Sequence, residues 1–157
     1  MLEDSKIALN KMAAICSRRE YCESDIREKL SKYQLESEEV EHILKLLKKE
    51  KYLDNRRYSA AFVRDKSILA GWGRRKIEFA LRRKGISTED IEAACLELDN
   101  QNVYAKMEEV VLRKWRQLEG EEDMNVRRIK TLRFAMGRGY PYDQVDGIVR
   151  ELIKVKN

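Results

Sequence analysis

The sequence contains little proline and glycine, the residues that most often interrupt regular structure. Of its 157 residues, one is proline and seven are glycine, whereas 39% are charged and 43% are hydrophobic. Strands joined by tight turns need more glycine and proline than this. Lysine, glutamate, arginine and leucine are abundant, and all four favour helices. The composition therefore predicts an all-α fold.

Long apolar runs are also missing. No stretch approaches the roughly 20 apolar residues that a helix needs to span a bilayer. The first five residues have neither the basic nor the apolar part of a signal peptide. The three cysteines (Cys16, Cys22 and Cys95) show no Cys-x-x-Cys spacing, which indicates reduced, buried thiols. We expect a cytoplasmic protein that makes no membrane contact.

Motifs for catalysis and metal binding are absent as well. The chain has no glycine-rich phosphate loop, no His-Glu-x-x-His and no Gly-x-Ser-x-Gly. Its single histidine, His42, lies among Glu39, Glu41 and Lys45 with no second histidine nearby, so we interpret it as a solvated side chain. The sequence predicts a protein that is not an enzyme and that holds no metal or cofactor.

What the sequence does contain is a succession of nine helical patterns. Ser24, Ser37, Asp54 and Ser87 are expected to cap four of them, and the pattern after Asp54 runs to about Leu69. A further pattern runs over 101–118, with Tyr104 and Trp115 inward. Another carries Val126, Ile129, Leu132 and Ala135 inward and stops at Gly139. Pro141 suits the first turn of the last helix. Gly120–Asp123 forms an acidic linker.

The patterns repeat in threes. At an offset of 51 residues, Ile26 coincides with Ile77 and Leu30 with Leu81; at a further 54, Gly85 coincides with Gly139. Each unit is then two helices, a glycine stop with left-handed backbone, and a third helix. We predict three tandem three-helix repeats (residues 1–53, 54–99 and 100–157) that stack into an elongated, curved body. In the first repeat Gln34 occupies the glycine position and would be strained if its backbone were left-handed.

Several pieces in order resemble the RecX family, the bacterial regulators of the RecA recombinase. The match runs from about Leu9 to Leu98, and the repeats extend it. It rests on the following pieces: Ser17-Arg18-Arg19-Glu20, Tyr52-Leu53-Asp54-Asn55, Tyr58 to Val63, Gly71-Trp72-Gly73 and Leu81 to Ile86. The resemblance implies three-helix repeats that bind within the RecA–DNA filament and usually inhibit RecA. The chain departs from the family pattern at Gln34, where glycine is usual, and at Asn55, where an acidic residue is usual.

Charge is segregated along the chain. Between Arg56 and Lys84 there are ten basic and two acidic residues, a net charge of +8, whereas 89–123 has four basic and eleven acidic residues, a net of −7. A cluster of cations displaces counterions from phosphates and pairs with carboxylates of a partner. Solvation of helix surfaces would explain any single one of these charges. The residues we predict to bind are Arg57, Arg64, Lys66, Arg74, Arg75, Lys76, Arg82, Arg83, Lys84, Arg127 and Arg128.

The glycines and Trp72 of the middle repeat are assigned to architecture. We expect Gly71, Trp72, Gly73, Gly85 and Gly139 to form the structural turns, although stacking of a base on Trp72 is an alternative.

Three functions are compatible with these features. The first is a monomeric regulator that binds the RecA filament on single-stranded DNA, with weak non-specific DNA contact. The second is a stand-alone DNA-binding protein whose three-helix units act like helix-turn-helix modules, with Arg74 and Arg75 at the start of the reading helix. The third, a structural adaptor, predicts no effect on nucleic acids. Tight, site-specific duplex binding without RecA would favour the second.

Overall fold

A computed structural model describes residues 2–156, and over this range the protein consists of α-helices and one π-helical turn, without a β-strand. The all-α prediction is confirmed. The helices are α1 (Glu3–Cys16), α2 (Glu23–Leu30), α3 (Ser37–Lys49), α4 (Asn55–Arg64), α5 (Arg74–Arg83), α6 (Thr88–Leu96), α7 (Asn100–Gln117), α8 (Met124–Gly137) and α9 (Tyr142–Lys156).

The π-helical turn (Asp65–Leu69) follows α4 directly. Asp54 caps α4 as predicted, because its Oδ1 accepts from the Arg56 and Arg57 amides at 2.9 and 3.1 Å. The Ala70 amide then bonds to the carbonyl of Asp65, five residues back, at 3.1 Å. This π-helical segment is only five residues long, which is too short for the shift that it causes in the hydrophobic periodicity to be recognised in the sequence.

Two of the predicted caps are wrong. The residues that precede α2 and α3 are Cys22 and Glu36, whose amides bond to the side chains of Asp25 and Glu39 at 3.3 and 3.2 Å. Ser24 lies inside α2, and its hydroxyl donates to the carbonyl of Lys84 at 2.7 Å. The capping rule considers only four consecutive positions, so it could not predict that Ser24 bonds to a residue sixty positions away. The Ser87 cap is present, with its hydroxyl accepting from the Asp90 amide at 3.1 Å.

Left-handed residues end three of the helices. Gly85 (φ +79°) follows α5, and the Ile86 amide reaches back to the Leu81 carbonyl at 3.1 Å. Gly139 (φ +95°) ends α8 in the same way. The residue that does this after α3 is Lys51 (φ +63°), and within residues 2–156 no other residue besides glycine has positive φ. Gln34 is therefore not left-handed, and the strain considered for it does not arise.

Contacts divide the chain into two compact units. The amino-terminal unit reaches to Ala61 and includes Leu81–Cys95; the carboxyl-terminal unit comprises Phe62–Ala80 and the chain from Leu96 onward. The residues of the middle sequence repeat are thus shared between them. In the amino-terminal unit α1 and α2 pack on α3 around Ala8, Met12, Cys16, Ile26, Leu30, Ile43, Leu44, Leu47 and Leu53. In the carboxyl-terminal unit α7, α8 and α9 pack around Met107, Val111, Trp115, Leu132, Ala135, Tyr140, Val145, Ile148 and Val149.

Two residues predicted to face the core are exposed instead. Tyr104 is 44% exposed and Ile129 37% exposed, whereas Trp115 is buried as expected. The buried face of α8 is set by Arg127, Thr131 and Ala135, spaced four residues apart. Ile129 lies two residues from both Arg127 and Thr131, which places it on the opposite side of the helix. Pro141 immediately precedes α9 rather than lying in its first turn.

Candidate functional site

Five predicted binding residues lie on either side of one turn in the carboxyl-terminal unit. Arg64 and Lys66 precede the Gly71–Gly73 turn, and Arg74, Arg75 and Lys76 open α5 directly after it. The three arginines are exposed and the two lysines are half-buried. We call these five residues the basic turn.

Trp72 holds the two lysines of the basic turn. The Nζ atoms of Lys66 and Lys76 lie 4.7 and 4.4 Å from the centroid of its ring, and the edge of Phe62 meets the ring with 6.3 Å between centroids. A cation above an indole face is stabilised by the negative potential of the ring. The ring of Trp72 thus has partners within its own unit, which favours an architectural role over base stacking.

A close backbone crossing fixes the start of α5. The Gly73 amide donates to the Arg138 carbonyl at 2.6 Å, and the Arg75 amide donates to the Gly139 carbonyl at 3.3 Å. A Cβ on Gly73 would lie 2.3 Å from the Gly139 carbonyl group, so only glycine fits at this position without a clash. The Arg138 guanidinium adds a bond of 2.8 Å to the Ala70 carbonyl. Arg138 was not among the predicted site residues, and its position just before the glycine stop is the only sequence signal for this role.

The arginines of the basic turn differ in their ionic partners. Arg74 pairs with Glu78, one turn along α5, at 2.6 Å. Within residues 2–156, no carboxylate lies within 4 Å of the Arg64 or Arg75 side chains. Arg74, Arg75 and Glu78 line a groove of about 560 Å³ together with Met136, Tyr140 and Tyr142. Because Glu78 pairs with Arg74, Arg75 leaves the groove with a positive charge that suits an anionic partner.

Arg127 was wrongly predicted as a surface contact. It is only 2% exposed, its Nε and Nη2 donate to the Trp115 carbonyl at 3.1 and 2.7 Å, and its guanidinium lies 3.8 Å from the Trp115 ring centroid. Arg127 is therefore part of the buried core and not of the surface. Its neighbour Arg128 is half-buried and pairs with Asp146 at 2.9 Å. The hydrogen bond from Arg128 holds the pKa of Asp146 below its ordinary value.

The remaining predicted residues belong to the amino-terminal unit. Arg57 pairs with Glu20 and also donates to the Lys51 carbonyl at 3.0 Å. Lys84 pairs with Asp25 at 2.6 Å, and this bond raises the pKa of the Lys84 ammonium. Arg82 and Arg83 are exposed on the last turn of α5. Arg57 and Lys84 therefore already stabilise their own unit.

Asn55, where the family pattern usually has an acidic residue, has a structural role. Its Oδ1 accepts a hydrogen bond of 2.9 Å from the Glu23 amide at the start of α2. A carboxylate oxygen could accept the same bond. This departure from the pattern therefore keeps the contact while removing one negative charge from the unit.

Between Leu2 and Lys156, we find no helix long and apolar enough to cross a membrane. The same stretch brings together no group of three or more histidine, cysteine or acidic side chains that could hold a metal ion.

Comparison with known proteins identifies the family. Residues 54–94 match the family model described as "RecX, second three-helix domain", and residues 101–149 match "RecX, third three-helix domain". A protein of Haemophilus ducreyi named "Regulatory protein RecX" is 31% identical over 135 residues, which are 85% of this chain and 84% of that protein. The chain belongs to the RecX family.

Other relatives agree with this assignment. The "Regulatory protein RecX" of Clostridium botulinum (strain Eklund 17B / Type B) is 30% identical over 83% of this chain. The match covers 61% of the length of that relative. A crystal structure titled "regulatory protein RecX" covers 95% of this chain with a TM-score of 0.83 and 25% identity; the match covers 72% of that chain. The fold is also that of RecX from Lactobacillus salivarius, at a TM-score of 0.82 and 18% identity, covering 97% of this chain and 98% of the other.

Proposed function

We propose that this protein binds the RecA filament on single-stranded DNA and inhibits the recombinase, ATPase and coprotease activities of RecA. Two facts support this. The chain belongs to a family whose members are named regulatory proteins, and the resemblance of its motifs to that family implies RecA as the target. The observation that carries the proposal is the basic turn, where Arg64 and Arg75 are exposed and have no carboxylate within 4 Å among residues 2–156.

Binding would be electrostatic. Arginines of the basic turn neutralise phosphates of the enclosed DNA and release counterions, so affinity falls as salt rises. The same guanidinium groups form paired hydrogen bonds with carboxylates of RecA subunits. A protein that contacts both components opposes the movements and subunit exchange on which RecA activity depends. Because binding alone accounts for this effect, no catalysis and no cofactor are needed.

The test measures RecA-dependent ATP hydrolysis on single-stranded DNA, with and without the protein, over a series of salt concentrations. We expect inhibition that weakens steeply as salt rises. Charge reversal of Arg64, Arg74 and Arg75 to glutamate should abolish inhibition and filament binding. A matched triple reversal at exposed cations elsewhere (Lys11, Lys45 and Arg116) should retain most of both. If the first triple variant inhibits as well as the wild type, the assignment of the surface is wrong.

A second candidate is DNA binding without RecA. Its support is the position of Arg74 and Arg75, which are exposed as the first two residues of α5. In helix-turn-helix proteins such residues of the second helix contact base edges. Duplex DNA alone distinguishes the two candidates. Weak, sequence-tolerant and salt-sensitive binding, beside tight binding to RecA filaments, supports the first, whereas tight binding at specific sites supports the second.

The proposed setting follows from the proposed target. RecA acts in the bacterial cytoplasm, so we place the protein there. We further propose that it acts as a monomer, because insertion along a filament requires no second copy of the chain. Sedimentation of the free protein at assay concentrations tests this directly.

A further inference from the structure

A second basic site lies in the amino-terminal unit, apart from every residue predicted from the sequence except Lys84. It is a pocket of about 320 Å³ whose lining includes Arg19, Lys29, Lys32 and Lys84. Two acidic residues, Asp25 and Glu28, also line it, together with the rings of Tyr21 and Tyr58. Four cations thus converge on one small concavity.

The charges of the pocket do not cancel. Lys84 pairs with Asp25 at 2.6 Å, and this carboxylate also accepts from the Cys22 amide at 3.3 Å. Within residues 2–156, none of the other three cations has a carboxylate within 4 Å, and Glu28 has no cation within that distance. Three unpaired cations therefore face one unpaired carboxylate, which leaves the pocket with a net charge of about +2.

Tyr21 holds two of these cations in place. The guanidinium carbon of Arg19 lies 4.7 Å from the ring centroid, and Lys29 Nζ lies 5.3 Å from it. Attraction to the ring restricts both side chains although the two charges repel each other. Cations ordered in this way lose less conformational entropy when a ligand arrives. An anion that enters the pocket would reduce the repulsion between the two cations and so stabilise the arrangement.

We propose that this pocket is a phosphate-binding site. A phosphate group has several acceptor oxygens and can bond to Arg19, Lys29 and Lys32 together, whereas a single carboxylate offers only two oxygens and one charge. Arginine is suited to such oxygens because its donors form a planar fork. The phosphate would come from a nucleic-acid backbone or from a free phosphate or nucleotide. The site needs no RecA, so it stands independently of the proposed function.

The first experiment titrates the full protein with inorganic phosphate while amide chemical shifts are recorded by NMR. We expect saturable shifts for residues around Tyr21 and Lys29. They should be lost in the Arg19→Gln/Lys32→Gln variant and retained in Lys45→Gln/Lys49→Gln, which removes two exposed cations that do not line the pocket. Glu28→Gln should strengthen binding because it removes the one opposing charge.

The second experiment measures binding of a labelled oligothymidylate over a salt series. If the backbone supplies the phosphate, the Arg19→Gln/Lys32→Gln variant should lower the slope of log K against log salt by about 1.4, at about 0.7 per lost contact on single strands. The control pair should change it much less. Tyr21→Leu should weaken binding at constant net charge, whereas Tyr21→Phe should not. Thermal unfolding of each variant verifies that it is folded.

Each result has a defined meaning. Loss of inorganic phosphate binding with unchanged oligonucleotide binding assigns the site to a free phosphate, and loss of both assigns it to the backbone as well. Absence of saturable shifts around Tyr21, or equal losses in the two double variants, overturns the proposal. A preference for an acidic peptide over phosphate overturns it too. None of these measurements contains RecA, so failure here leaves the proposed inhibition of RecA standing.

Discussion

Replacing Gly73 with alanine tests whether the backbone crossing in the carboxyl-terminal unit holds the basic turn in place. The new Cβ would lie 2.3 Å from the carbonyl carbon and oxygen of Gly139 and 2.4 Å from the Tyr140 nitrogen. Ordinary contacts between carbon atoms are about 3.5–4.0 Å. Backbone atoms cannot rotate away as a flexible side chain can, so the two segments must separate by about 1 Å or more.

The cost follows from what that separation breaks. Two hydrogen bonds cross between the segments, one from the Gly73 amide to the Arg138 carbonyl and one from the Arg75 amide to the Gly139 carbonyl. Both glycines are buried, so each group left without a partner costs about 1–3 kcal/mol. We expect Gly73→Ala to lower the free energy of unfolding of this unit by about 3 kcal/mol. Gly139→Ala should cost about 1–2 kcal/mol more, because its left-handed backbone disfavours a Cβ.

Urea denaturation followed by tryptophan fluorescence is a suitable assay. The only two tryptophans, Trp72 and Trp115, both belong to the carboxyl-terminal unit, so the signal reports on that unit. Gly147→Ala is the matched control, since its added Cβ inside α9 meets no atom within 4 Å apart from its chain neighbours and the nearby backbone of its own helix. It should stabilise by about 0.5–1 kcal/mol through helix propensity. A Gly73→Ala midpoint equal to that of the wild type would refute the reasoning.

Two further predictions concern α8. Arg127→Lys should destabilise the protein by about 1–3 kcal/mol, because lysine cannot reproduce the paired bonds to the Trp115 carbonyl; urea denaturation measures this. The salt dependence of RecA inhibition by this variant should equal that of the wild type. A weaker salt dependence would show that Arg127 does contact the filament. For Asp146 the folded pKa is below the ordinary 3.8, so the unfolded chain takes up a proton first as the pH falls. The stabilisation is complete above 3.8 and is lost as the pH falls from there through the lower folded pKa. Asp146→Asn should be less stable near neutral pH and lose less of its urea midpoint on acidification, whereas an equal loss would contradict the assignment.

The helices and several of their ends were predictable because local chemistry decides them. An α-helix is closed by bonds between residues four apart, and its buried stripe recurs at the same spacing. Asp54, Ser87 and Gly85 act within four residues of their own position, so a short window of sequence contains all the information required. The segregation of charge is likewise a property of the chain and needs no coordinates.

Arg127 and Arg128 show where such reasoning ends. The two are adjacent and chemically identical, yet one is buried beneath the Trp115 ring and the other pairs with Asp146 near the surface. Helix geometry places neighbours about 100° apart, but which direction faces the core depends on the other helices that pack there. The hydrophobic pattern placed Leu132 and Ala135 inward correctly, but it placed Ile129 there instead of Arg127 because it treats every arginine as solvent-exposed.

What the sequence alone determined is therefore the all-helical class, the repeated pattern with its glycine stops, the family and the concentration of cations around the Gly71–Gly73 turn. The tertiary structure decided which cations are available to a partner, why Gly73 and Gly139 tolerate no side chain, and that Lys29 reaches the Tyr21 ring in a pocket that Arg19 and Lys32 also line. The physical reason is distance along the chain. The Lys29–Tyr21 and Gly73–Gly139 contacts join residues 8 and 66 positions apart, which no local periodicity relates, and only packing brings them together.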